Sequence, residues 1–192
     1  MTQMGHRIAL GCGWKGVLAM DTARFQPSWG QRLVIRFAYT PLGRWLVARL
    51  ARPLDRALLK LTGGRRTLVE LLTGLPACSV TTLGAKSGLP RTTPLVIIPD
   101  GDRFLVVASN FGERHTPAWY YNLKAHPDAT LTIAGRPRRC QARELTGEAY
   151  RRAWAIACAF YPGYEYYRRR ASHRPIPVME LRRLPDDEHN IL

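Results

Sequence analysis

The stretch "TTLGAKSGLPRTTPL", Thr81 to Leu95, decides how the chain is read. Two strand-like runs flank a turn that carries Lys86 and Arg91 and is punctuated by Gly84, Gly88 and Pro90. Working outward, Cys78–Leu83 reads as one strand and Arg91–Ile98 as the next. The turn Pro99-Asp100-Gly101-Asp102 closes the second, and Arg103–Ser109 follows as a third. In that third strand Phe104, Val106 and Ala108 alternate with Leu105, Val107 and Ser109. Apolar residues on both faces predict a strand covered on both sides, as in a barrel carrying helices.

The remaining segments extend the pattern. Thr116-Pro117 predicts a helix start, with threonine as N-cap and proline in the first turn; the helix runs through Trp119, Tyr120 and Leu123 to His126. Ala129–Ala134 and Pro137–Leu145 predict a hairpin over Gly135-Arg136. Residues 147–160 predict a helix with Tyr150, Trp154 and Cys158 on one face, and Ile176–Leu181 a last strand. Upstream, residues 31–62 read as helical in two pieces, broken or reopened at Pro53, with Arg49, Arg52, Arg56 and Lys60 on a basic stripe. The order of elements is α+β with a mostly antiparallel barrel.

The chain has 192 residues, which favours one domain. Lys+Arg is 29 against Asp+Glu 14, a formal charge of +15, and this implies an anionic partner unless arginine-rich coding explains it. Cys12, Cys78, Cys140 and Cys158 show no metal-ligand spacing, so no metal is expected. No run is long and apolar enough to span a membrane, and a cytoplasmic location is expected. There is no nucleophile elbow, P-loop or dinucleotide fingerprint.

Three stretches carry candidate chemistry. In the opening hairpin, two glycines free the backbone while Lys86 and Arg91 grip a phosphate or carboxylate; the alternative is a solvated turn. In "VVASNFGERHTPAWYYNL", Val106 to Leu123, Ser109 and Asn110 end a strand where a planar ring is within hydrogen-bonding reach; the alternative is a polar strand end and a helix cap. In "FYPGYEYYRRR", Phe160 to Arg170, Tyr161, Tyr164 and Tyr167 share a face if helical, although Pro162-Gly163 excludes one unbroken helix. That face either lines a pocket for a flat substrate or packs as an edge.

Taken in order, these stretches resemble the deazaflavin-dependent nitroreductase family of split β-barrel oxidoreductases. "DGDRFLVVASNFG", "HTPAWYYNLKAHP", "PLDRALLKLTGG" and "RPIPVMEL" add to the match, which covers about residues 41–182. The resemblance implies residues 1–40 as an N-terminal extension and 41–192 as one split β-barrel with flanking helices. It implies coenzyme F-420, with FMN as the weaker alternative, and hydride transfer to a quinone, enone or nitroaromatic. By matching positions, Lys86 and Arg91 hold phosphate and tail, and Thr92, Thr93 and Pro94 line the chain and ring. Ala108, Ser109 and Asn110 meet the deazaflavin, and Trp119 and Asn122 brace the loop. Tyr161, Tyr164 and Tyr167 border the substrate, with Ser109 and Tyr164 as the catalytic candidates. Ala85, Val96 and Phe111 depart from the common pattern and bear on the substrate more than on the cofactor. A lipid-borne quinone, peripheral membrane contact through the basic N-terminal helices, and a homodimer are further expectations. Two other classes remain: a non-catalytic binder of flavin, haem or fatty acid on the same barrel, and a basic nucleic-acid-binding domain.

Overall fold

The computed structural model describes residues 28–38 and 68–184, with isolated positions between them at 40, 43, 49–50, 54, 57–58 and 61–62. Much of the two-piece helix expected over 31–62, including the break at Pro53, lies outside the described residues. Its beginning is helix α1, Trp29–Ala38, which packs on the short α2, Leu68–Thr73.

Seven strands follow: β1 Ala77–Leu83, β2 Pro90–Val96, β3 Ile98–Asp100, β4 Arg103–Val107, β5 Asp128–Ile133, β6 Arg136–Glu144 and β7 Val178–Arg183. They form one sheet in the order β2-β1-β5-β6-β7-β4-β3, antiparallel at every pairing. The sheet curls until β2 approaches β4, so the architecture is an α+β split barrel. The prolines obey its hydrogen-bond logic. Pro90 and Pro94 lie on the edge strand β2, and Pro137 lies where β6 has lost its β7 neighbour, so no strand on that side needs its N–H.

Helices α3, Ala118–Ala125, α4, Gly147–Phe160, and α5, Gly163–Arg170, cover the sheet. Two cores result. Inside the curl, Val80, Leu131, Phe104, Val106, Met179 and Leu181 meet Trp119 and Leu123 of α3. On the outer face, Leu105, Val107 and Val178 meet Trp154 and Phe160 of α4 and the three tyrosines around α5. The alternation expected in Arg103–Ser109 is therefore realised: Phe104 and Val106 enter one core, Leu105 and Val107 the other. Each fully buried large apolar side chain contributes about 1.5–3 kcal/mol.

Three local expectations shift. The strand expected over Arg91–Ile98 divides at Ile97, whose amide bonds Pro76 O at 3.1 Å while the chain leaves β1 to pair with β4. Helix α3 begins at Ala118, with Pro117 as the extended residue before it, and Thr116 supplies no capping bond. The β5–β6 turn is Ala134-Gly135 rather than Gly135-Arg136, because Ile133 pairs with Arg136. Ala134 and Gly135 have φ of 50° and 77°, the double left-handed geometry that suits a two-residue hairpin.

Candidate functional site

The β1–β2 loop folds on itself. Gly84 N donates to Leu89 O at 2.9 Å, and Gly88 N donates to Gly84 O at 2.8 Å. Gly88 takes φ +63°, as a glycine can. Gly84 has no positive φ, so the expectation of left-handed backbone holds for one glycine of the two. Crowding explains the other: a Cβ on Gly84 would lie 2.5 Å from Ser87 Oγ and 3.8 Å from Arg91 Cγ. Lys86 and Arg91 are exposed, and neither pairs with a carboxylate among the described residues.

One side chain from α3 fastens this loop. Asn122 is buried; its Oδ1 accepts from Ala85 N at 3.0 Å, and its Nδ2 donates to Thr82 Oγ1 at 3.0 Å. Thr82 Oγ1 in turn donates to Arg91 O at 3.4 Å. The relay ties the residue before Lys86 to Arg91 itself. Trp119, one turn earlier on the same helix, is buried in the inner core beside Ala108.

Strand alternation sorts the next residues. Leu95 packs on the inner core and Val96 on the outer one. Thr92, Pro94 and Val96 therefore share the outer face, where Thr92 and Thr81 are hydroxyl-bonded at 2.9 Å. Arg91 and Thr93 lie on the opposite face, across from Thr82 and Val80, so Thr93 does not join Thr92 and Pro94 and Arg91 serves the row only from its place at the hairpin tip. The row ends at the tyrosines, since Val96 packs against the cluster that contains Tyr161, Tyr164 and Tyr167. From Thr92 to Val96, at ~3.3 Å per residue, it runs roughly 13 Å.

The tyrosines are brought together although Pro162 interrupts the helix. Centroids of Tyr161 and Tyr164 lie 5.4 Å apart, and those of Tyr164 and Tyr167 6.2 Å, both edge-to-face. All three are buried, and Tyr167 meets the exposed Phe111 at 5.9 Å. Burial, then the neighbouring Tyr161, pushes the Tyr164 phenol far above its ordinary range.

Between hairpin and tyrosines lies the segment Ala108–Glu113. Ser109 is buried at its start. Asn110, Phe111 and Gly112 then take φ of 46°, 55° and 73° in succession. Left-handed backbone costs about 1–2 kcal/mol at each non-glycine residue. Internal bonds partly offset this: Gly112 N to Ser109 O and Glu113 N to Asn110 O, both 2.9 Å, and Asn110 Nδ2 to His115 O at 2.9 Å. Gly112 cannot be larger, since a Cβ would sit 2.9 Å from Tyr167 O. The segment is also gripped by Arg174, through carbonyls of Ala108, Ser109 and Glu113, and by Arg170, through the Glu113 carboxylate. Both arginines lie in stretches the sequence singles out, Arg170 at the end of Phe160–Arg170 and Arg174 at the start of RPIPVMEL, yet sequence reading gave neither this role, because their acceptors are about sixty residues away. Beyond this loop, a cleft of about 490 Å³ opens between Arg114, His115, Tyr121, Arg174 and Pro177.

A hairpin tip with unpaired cations, an outer-face row, and a buried aromatic end suit an elongated ligand that is anionic at one end and flat at the other. Comparisons with known proteins show the family. The model of the family described as F-420H(2)-dependent quinone reductase matches residues 52–182. The chain belongs to this family. An F-420H(2)-dependent quinone reductase of Mycobacterium tuberculosis is 36% identical over 149 residues, 74% of this chain and 98% of that protein. A solved F-420-H(2)-dependent reductase is 36% identical with a TM-score of 0.51, over 55% of this chain and 93% of that one. Another solved structure, described as a domain-swapped dimer, is 31% identical with a TM-score of 0.53, over 74% and 99% of the two chains. Family membership makes the protein an F-420-dependent oxidoreductase.

Proposed function

We propose that the protein takes hydride from reduced coenzyme F-420 and delivers it to a quinone, with the cofactor lying along the outer face of β2. The row Thr92, Pro94, Val96, running from the cationic hairpin to the tyrosines, carries this reading. Among the described residues Lys86 and Arg91 have no carboxylate partner, so their charge is available to the phosphate and the acidic tail. Thr92 and Pro94 flank the polyol chain, and Thr93 supports the strand from behind. Ala108, Ser109 and Asn110 meet the ring edge, with Trp119 in the same core as Ala108, while Asn122 fastens the hairpin loop instead. When bound, the deazaflavin supplies the hydride; the protein supplies position and electrostatics. Tyr161, Tyr164 and Tyr167 wall the acceptor side and exclude water. Tyr164, its phenol pushed up by burial, keeps its proton at neutral pH and serves as a hydrogen-bond donor to the acceptor oxygen.

The test is a fluorescence titration with coenzyme F-420. Lys86→Ala and Arg91→Ala should each weaken binding by ~1.5–3 kcal/mol, the range for hydrogen bonds to charged groups. Unchanged affinity in both variants would remove the anion clamp.

Peripheral membrane contact has its own supporting observation. Trp29, Leu33 and Phe37 stand one helical turn apart on α1 and are 76%, 54% and 46% exposed, with Arg36 exposed beside them. Such a face suits an anionic lipid surface from which a quinone is drawn. Among the described residues, no helix is long and apolar enough to cross a membrane. The intact chain should sediment with anionic liposomes, and Leu33→Glu with Phe37→Glu should abolish this. A homodimer is also proposed, and light scattering decides it.

A further inference from the structure

Arg174 follows α5 in a turn closed by its own amide on Ala171 O at 2.9 Å. Its guanidinium donates from Nη2 to Ser109 O at 2.8 Å, from Nε to Glu113 O at 3.0 Å, and from Nη1 to Ala108 O at 3.5 Å and Pro175 O at 3.1 Å. Every acceptor is a main-chain carbonyl. Three of them belong to one loop and lie on either side of its left-handed run Asn110–Phe111–Gly112. A planar fork spans those separated carbonyls at once; a lysine ammonium is a single point and does not. The loop is thereby clamped at both ends of its strained centre, where Asn110 folds its side chain back onto His115 O.

We propose that Arg174 is a positioning residue: it locks Ala108–Glu113 so that Ser109 and Asn110 are already set for the deazaflavin before it arrives. This rests on the proposal that the cofactor ring meets that loop. Preformed loops spare the ordering cost at binding and hold the reacting atoms in line.

The experiment uses the full chain with Arg174→Ala and Arg174→Lys. The first readout is amide hydrogen exchange without cofactor. Gly112 and Glu113 should exchange at least tenfold faster in both variants, with β4 and β7 unchanged. The second is steady-state reduction of a soluble naphthoquinone by reduced F-420. The turnover number should fall and the cofactor KM should rise, together lowering kcat/KM for F-420 tenfold or more while the quinone KM stays within threefold, and Arg174→Lys should not restore the rate. Millimolar guanidinium ion should recover part of it in Arg174→Ala. Should the alanine variant not fold, the lysine variant carries both readouts. Exchange and turnover within twofold of wild type overturn the proposal. A wild type that turns over beside an unaffected Arg174→Lys removes this inference alone. A wild type that neither binds nor oxidises F-420 removes the cofactor reading and this inference with it.

Discussion

Asn122→Ala is the sharpest probe of how the barrel presents its cations. Asn122 is buried and makes two side-chain bonds, each 3.0 Å long, to Ala85 N and Thr82 Oγ1. A net contribution of about 0.5–1.5 kcal/mol per bond gives roughly 1–3 kcal/mol. The Ala85 amide, deprived of its acceptor in a partly buried place, adds about 1 kcal/mol or more. The sum is roughly 2–4 kcal/mol. At about 2–4 °C per kcal/mol for a chain of this size, the melting temperature should fall by roughly 4–16 °C. The same bonds fix the loop bearing Lys86 and, through Thr82, the backbone of Arg91. Without them, the loop must be ordered when the ligand binds. Affinity for F-420 should therefore drop about tenfold, equivalent to ~1.4 kcal/mol. Calorimetry and fluorescence titration on one preparation measure both quantities. Asn122→Asp keeps the acceptor for Ala85 but buries a charge, so it should not restore stability. A melting temperature within a degree of wild type, together with an affinity within twofold, would refute the reasoning.

Two other outcomes follow from buried groups. Glu180, with a side chain 1% exposed, accepts from Arg143 Nε at 2.7 Å and from Arg103, and Arg182 approaches at 3.3 Å. Burial pushes its carboxyl up, but the bonds from Arg143 and Arg103 outweigh this and hold it below the usual range. Its contribution is therefore present above the unfolded value near pH ~4.3 and lost as pH falls through the lower folded value. Because Arg143 and Arg182 are more than half exposed, Glu180→Gln should cost about 1–3 kcal/mol at pH 7, less than a fully buried pair, with the gap to wild type closing in acid. Denaturant melts at pH 7 and pH 3 check this; a gap that persists at pH 3 counts against it. For Tyr164→Phe, turnover should fall several-fold while F-420 affinity stays within twofold, as read by parallel titration and steady-state kinetics; the opposite pattern moves Tyr164 out of the acceptor wall.

The sequence by itself determined the strands, the pairing of short apolar runs across turns, and the chemistry available at the hairpin tip, because these depend on neighbours in the chain. The two-faced apolar pattern of Arg103–Ser109 announced coverage on both sides, and the two cores bear that out. The ordered motifs also announced the family. What only the tertiary structure decided were quantities set by residues far apart. Any strand sets Thr93 on the face opposite Thr92 and Pro94, but which of those faces meets the tyrosines was decided by the curl of the sheet. Ile97 broke a strand because two different partners compete for its ends, and no local signal encodes a competition. Gly84 proved to be a matter of space around Ser87 rather than of φ. Arg170 and Arg174 entered the site only when α5 and its following turn were laid against a loop about sixty residues earlier. A guanidinium that bonds carbonyls leaves no mark on sequence spacing, since every residue in the chain offers a carbonyl and the fold alone selects which ones it meets.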